Sequence, residues 1–284
     1  MKLTTAIVVF ASTIATANGK RSLRRELEFE ELSYSMSMPE ALDVDAMKGS
    51  GSGKAGKEPP LPVGAVKVVS AADDGPGSHR AALQTSVVTA GGTLTLAIDK
   101  RIKKIDVLRT LQYDGIAPLE IVGVGDMPKI VADGDFDVFA TTRCTDLSIK
   151  NVAFEGLGDF SIENRGDGKG IFFDVPDDAT GDVSFSLEDV KVSGTAWHGV
   201  LVSDCTVAEC GNGNTGTGEG SDASVVLNLK RVTVENTGKG KFDGDGVRVN
   251  ERGDGSINAT IEDSKFNNNG ADGVELDEAD EGES

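Results

Sequence analysis

One phrase recurs five times along this chain, and it narrows the fold more than any other feature. It runs apolar, any, apolar, then one or two polar residues, then apolar, any, apolar. The copies occupy 119–124, 147–154, 185–192, 227–234 and 259–266. Alternation puts apolar side chains on one face of an extended strand. A skipped beat followed by a restart marks two strands joined at a bend. The apolar residue before the bend is Ile121, Ile149, Leu187, Leu229 or Ile261, at spacings of roughly 30 to 40 residues, within the range of a solenoid repeat. The bend itself carries Gly123, Asn151, Asp189, Arg231 and Asp263.

A second marker repeats in phase with the first: Gly, apolar, any, apolar, beginning at Gly170, Gly199, Gly246 and Gly273. It predicts a third strand per coil, entered at a corner where a Cβ would clash or φ is positive. Like strands of successive coils should then stack about 4.8 Å apart. An antiparallel sandwich would instead need two-residue hairpin turns between neighbours. Bends recurring at one phase favour an all-β, right-handed parallel β-helix. Residues in excess of a coil leave as Gly-rich loops around 156–168, 211–222 and 237–243.

Residues 1–17 read as a secretory signal, with Lys2, an apolar stretch from Ala6 to Ala15 and a small-residue cleavage site at Ala15–Ala17. No later stretch is long and apolar enough to span a membrane. Residues 18–62 read as a disordered linker containing Gly, Ser and Lys, without the apolar period a core needs. The β-helix domain is expected over 63–284, opening with a strand at Val66–Val69. A short capping helix should follow from His79 to Val88, with Ser78 as its N-cap and Gly91–Gly92 at its end. Ser284 falls within a coil, so the domain is expected to be incomplete there or to associate end to end through its exposed strand edge.

The formal charge of −19 excludes nucleic acid as a partner and favours cations. Cys205 and Cys210 sit five apart and suit a local disulfide in an oxidising compartment, with Cys144 left as a buried apolar residue. No zinc spacing, phosphate loop or Gly-x-Ser-x-Gly elbow occurs. Asn258-Ala-Thr260 is a glycosylation sequon, with Asn258 placed outward by the alternation.

The stretch from Val66 through the Gly75-Pro-Gly-Ser78 turn to Ile98, together with 118–134, resembles the opening of secreted right-handed parallel β-helix proteins of the pectin lyase-like group. Where those proteins usually carry Leu, this chain has His79. The leader around Ser33–Pro39 resembles those of secreted proteins of silica-walled algae. The resemblance implies a secreted, extracellular or cell-wall location.

Aligning the coils sorts outward residues into ladders. Before the marker glycines stand Lys169, His198, Asp245 and Asp272. Two residues after them stand Phe172, Leu201, Arg248 and Glu275, and four after them Asp174, Ser203, Asn250 and Asp277. In pectin lyase-like enzymes such a face holds the catalytic groups. The resemblance therefore implies catalytic roles for Asp245, Arg248, His198 and Asp272, with His198 one coil from Asp245 and titrating near neutrality. Simpler chemistry accounts for the same residues: Asp before Gly is turn chemistry, and Arg248 beside Glu275 can be a cross-coil ion pair. On a binding face, Arg248, Glu275, Asn250 and Trp197 would contact carbohydrate. Acidic loops at Asp174, Asp177, Asp277 and Asp280 are candidate calcium ligands, although they match no established calcium loop. The expectation carried forward is non-enzymatic binding of polysaccharide or extracellular matrix. A polysaccharide lyase or glycoside hydrolase and a structural or adhesive spacer are the alternatives.

Overall fold

The computed structural model describes residues 64–85, 92–204 and 220–278. The signal and linker expected over 1–62, the Cys205–Cys210 pair, most of the 211–222 loop and Asp280 lie outside them. Among the described residues no helix is long and apolar enough to cross a membrane.

The described chain is a parallel β-helix built from three sheets, each with its strands in chain order. The first sheet runs through Val66–Val68, Leu94–Ile98, Leu119–Gly123, Asp146–Lys150, Thr180–Glu188, Asp222–Lys230 and Ile257–Glu262. The second runs through Lys104–Val107, Lys129–Ala132, Ala153–Glu155, Lys191–Ser193, Thr233–Glu235 and Lys265–Asn267. The third runs through Leu111–Tyr113, Phe139–Thr141, Ile171–Asp174, Val200–Asp204, Val247–Glu251 and Val274–Glu278. The five residues before the bend stand in one register column, and Leu96 extends it by a coil the repeated phrase did not include. From Leu96 to Leu229 this column is buried. Each such aliphatic side chain contributes about 1.5–3 kcal/mol by leaving water. Phe139 packs on Phe154 and Phe173 on Phe185, at centroid separations of 6.2 and 5.5 Å.

The bend works by left-handed backbone. Asn151, Asp189, Arg231 and Asp263 have φ between 49 and 53°. A side chain there costs about 1 kcal/mol, and polar contacts offset it. Asn151 Nδ2 donates to the carbonyls of Gly123 (2.8 Å) and Gly125 (2.9 Å). Arg231 grips both oxygens of Asp189 at 2.6 and 2.7 Å. Gly123 is not a member of this column. Its coil instead turns at Gly125 (φ 79°) and reaches the second sheet only at Lys129. The restart expected at Val124 is thereby delayed by a longer connection.

At the third-sheet corner the glycines are required by close approach and not by positive φ. A Cβ on Gly170 would lie 2.4 Å from the carbonyl oxygen of Gly199, one on Gly199 2.6 Å from that of Gly246, and one on Gly246 2.5 Å from that of Gly273. Each of those oxygens accepts a ladder hydrogen bond from the residue after the glycine below, so it cannot move aside. The capping helix spans His79–Leu83, shorter than expected, and Ser78 Oγ accepts from the Ala81 N–H as its N-cap. His79 is fully buried in the place of a core aliphatic, and burial, with Arg80 beside it, pushes its imidazole down to about 4. Cys144 is a free, buried thiol pushed up to about 11 by burial.

Candidate functional site

The third sheet holds the expected ladders in register. Phe172, Leu201, Arg248 and Glu275 form one column; Asp174, Ser203, Asn250 and Asp277 form the next. Ala140 joins Phe172 and Leu201 in a small apolar cluster outside the coil. Beyond this cluster the column turns polar.

Arg248 is the centre of the polar end. Its Nη1 lies 3.0 Å from Asp243, 3.3 Å from Asp245 and 2.8 Å from Glu275, its Nη2 lies 3.2 Å from Asp277, and its Nε donates to Asn250 Oδ1 at 2.8 Å. The expected solvated cross-coil pair is instead a guanidinium whose side chain is 1 % exposed. Asp243, Asp245 and Glu275 bring carboxylate oxygens close enough to hold a metal ion. The guanidinium already bonds all three, so Arg248 serves as the resident cation of this cluster.

Residues at the phase before the third-sheet corner form a seam in which a side chain of one coil accepts a backbone N–H of the next. Asp137 Oδ1 accepts from Lys169 (2.8 Å), His198 Nδ1 from Asp245 (3.1 Å), and Asp245 Oδ1 from Asp272 (2.9 Å). Accepting at Nδ1 places the imidazole proton on Nε2. His198 does not titrate near neutrality as expected. Burial, then the positive charges of Arg248, Lys169 and Lys241, hold its pKa well below the usual imidazole value. Asp245 moves the other way. Burial is the leading cause, and the Glu275 and Asp243 carboxyls add to it; against the pull of the Asp272 N–H and Arg248, the carboxyl is pushed up to about 7. Asp272 is exposed and contributes its backbone to the seam.

Trp197 is 6 % exposed, and its ring is covered rather than offered to a sugar. His198 packs on it at 4.5 Å, and Lys241 and Lys169 place their ammonium groups 3.9 and 4.9 Å from its centroid. Lys241 comes from the 237–243 insertion and also bonds Asp167 of the 156–168 insertion at 2.6 Å. Sequence spacing gave no sign of this cover, because it joins two loops far apart in the chain.

Of the calcium candidates, Asp174 and Asp277 are not brought together. Asp174 and Asp277 stand three coil steps apart in their column, about 14 Å. Asp277 is held by Arg252 and Arg248, which keep its carboxyl below its ordinary value. Asp174 and Asp177 are near each other. Burial, then Asp177, raises Asp174 to about 7. Asn258 is exposed on a first-sheet strand. No family model, curated protein or solved structure matches the chain.

Proposed function

We propose that this is a secreted extracellular or cell-surface β-helix protein that binds polysaccharide or matrix without turning it over. The observation that carries the reading is the state of Arg248: buried and bonded to four carboxylates, it is committed to holding coils together. Asp245 is likewise fully buried, so a sugar at the surface meets the rim and not the seam. That rim consists of Asp243, Asn250, Glu275 and Asp277, all half-buried. Their oxygens accept hydrogen bonds, which suits the hydroxyl donors of a glycan. With a net charge of −19, neutral or amine-bearing polymers are favoured over polyuronates.

The test pairs retention with turnover. Wild-type protein should be retained on columns of neutral or aminated polysaccharide, and Glu275→Gln with Asn250→Ala should weaken retention. Polyuronates, with and without calcium, should give no unsaturated ultraviolet-absorbing product. Turnover that disappears in Asp245→Asn would establish the lyase or hydrolase reading instead. Neither retention nor turnover would leave a spacer.

A further inference from the structure

The fifth residue after each corner glycine points into the solenoid. In the first coil carrying the marker it is Val175, buried in the core cluster. In the next three coils it is Asp204, Glu251 and Glu278, stacked in register. Asp204 is 1 % and Glu251 0 % exposed. Each uses one oxygen to tie the third sheet to the turn leading back into the first: Asp204 Oδ1 accepts from the Ser221 N–H at 3.0 Å, and Glu251 Oε1 from the Gly253 N–H at 2.9 Å. The other oxygens, Asp204 Oδ2 and Glu251 Oε2, are buried without a donor among the described residues. The two carboxyls stand at paired positions of adjacent strands, one coil apart on the same face. Two acceptors this close in a dry interior repel unless a proton lies between them.

We propose that Asp204 and Glu251 share one proton, and that this proton latches the third sheet to the first across two successive coils. Among the described residues, the other charges acting on the pair are acidic: Asp177 on Asp204, and Glu278 on Glu251. The neighbouring Arg252 guanidinium is turned to Asp277 and to the Glu251 carbonyl. Burial, joined by the Asp204 charge, pushes Glu251 from 4.5 up to about 7, and burial also raises Asp204. A carboxyl raised on folding stabilises fully below its unfolded pKa and loses that contribution as pH climbs through the folded value. The latch is therefore closed at mildly acidic pH. Above neutrality it is strained, because the proton leaves to solvent and two carboxylates remain.

Glu251→Gln tests this. The amide keeps the Gly253 bond through its carbonyl and donates to Asp204 Oδ2 at every pH. Thermal and denaturant unfolding of the full chain and of the variant should be compared from about pH 5 to about pH 8. The stability of the variant relative to wild type should rise with pH, by roughly ten- to hundredfold in the folding equilibrium constant, and level off above the folded pKa. A difference that does not change with pH would overturn the proposal. A carboxyl-carbon NMR titration of the wild type supplies a readout that needs no variant. One carbon of the pair should still report the protonated form at about pH 6; finding both ionised at about pH 5 would overturn the shared proton.

Discussion

Arg248→Gln perturbs the densest electrostatic centre of the described chain. The guanidinium bonds four carboxylates at 2.8 to 3.3 Å, of which Asp245 is fully buried. Glutamine retains much of the volume but removes the charge. Breaking a buried pair from one side costs about 3–5 kcal/mol, because the partner charge stays in a dry site. In a domain of this size each kcal/mol moves the melting temperature by about 2–4 °C, so a fall of roughly 10 °C is expected at neutral pH and above. The sign with pH is fixed. Without the cation Asp245 is pushed higher still, so the penalty is largest when the carboxyls are ionised and shrinks as acid neutralises them. Melting and urea curves at about pH 5 and about pH 8 measure this, with exposed Arg231→Gln as a control expected to cost much less. A loss below about 1 kcal/mol for Arg248→Gln, or one independent of pH, would refute the view that the guanidinium is the resident cation.

Other outcomes follow from geometry alone. Gly199→Ala should destabilise by about 1–3 kcal/mol or more in denaturant unfolding, since its Cβ would meet Val234 Cγ1 at 2.4 Å and the Gly246 oxygen at 2.6 Å. For Gly273→Ala, at the same phase in the last described coil, the nearest atom is Phe266 Cβ at 3.1 Å, and the change should cost less. Asn151→Ala should cost about 2 kcal/mol, losing two side-chain hydrogen bonds at a left-handed residue, and Asn151→Gly should recover part of that by relieving the backbone.

The period of two and its missed beat made the solenoid legible, and the corner glycines set the phase of the third sheet. Those two signals placed Arg248 between Leu201 and Glu275 and Asn250 between Ser203 and Asp277, as found. Burial was not legible at the same positions. Asp243 reaches Arg248 from a loop outside the repeat, and Trp197 is covered by Lys241 from an insertion. Neither has a periodic signature, so outward phase was read as solvent exposure. The interior position of Glu251 is hidden by its charge, which reads as a surface or loop residue. The same phase one coil earlier than Asp204 carries Val175, which would have marked it as interior. The bend residues were recognised, but Gly123 was aligned by letter pattern where the longer turn around Gly125 and Pro128 carries the chain.

Because every described strand pairs with the strand one coil away, no strand pairing among the described residues ties the first coil to the last. Its cooperativity runs between neighbours, so folding can start at any well-packed coil and spread outward. Each partly wound intermediate then ends in an open parallel edge, the template on which another copy would pair. The surplus of negative charge acts on that intermediate as much as on the finished molecule, keeping growing edges of different chains apart while each completes itself.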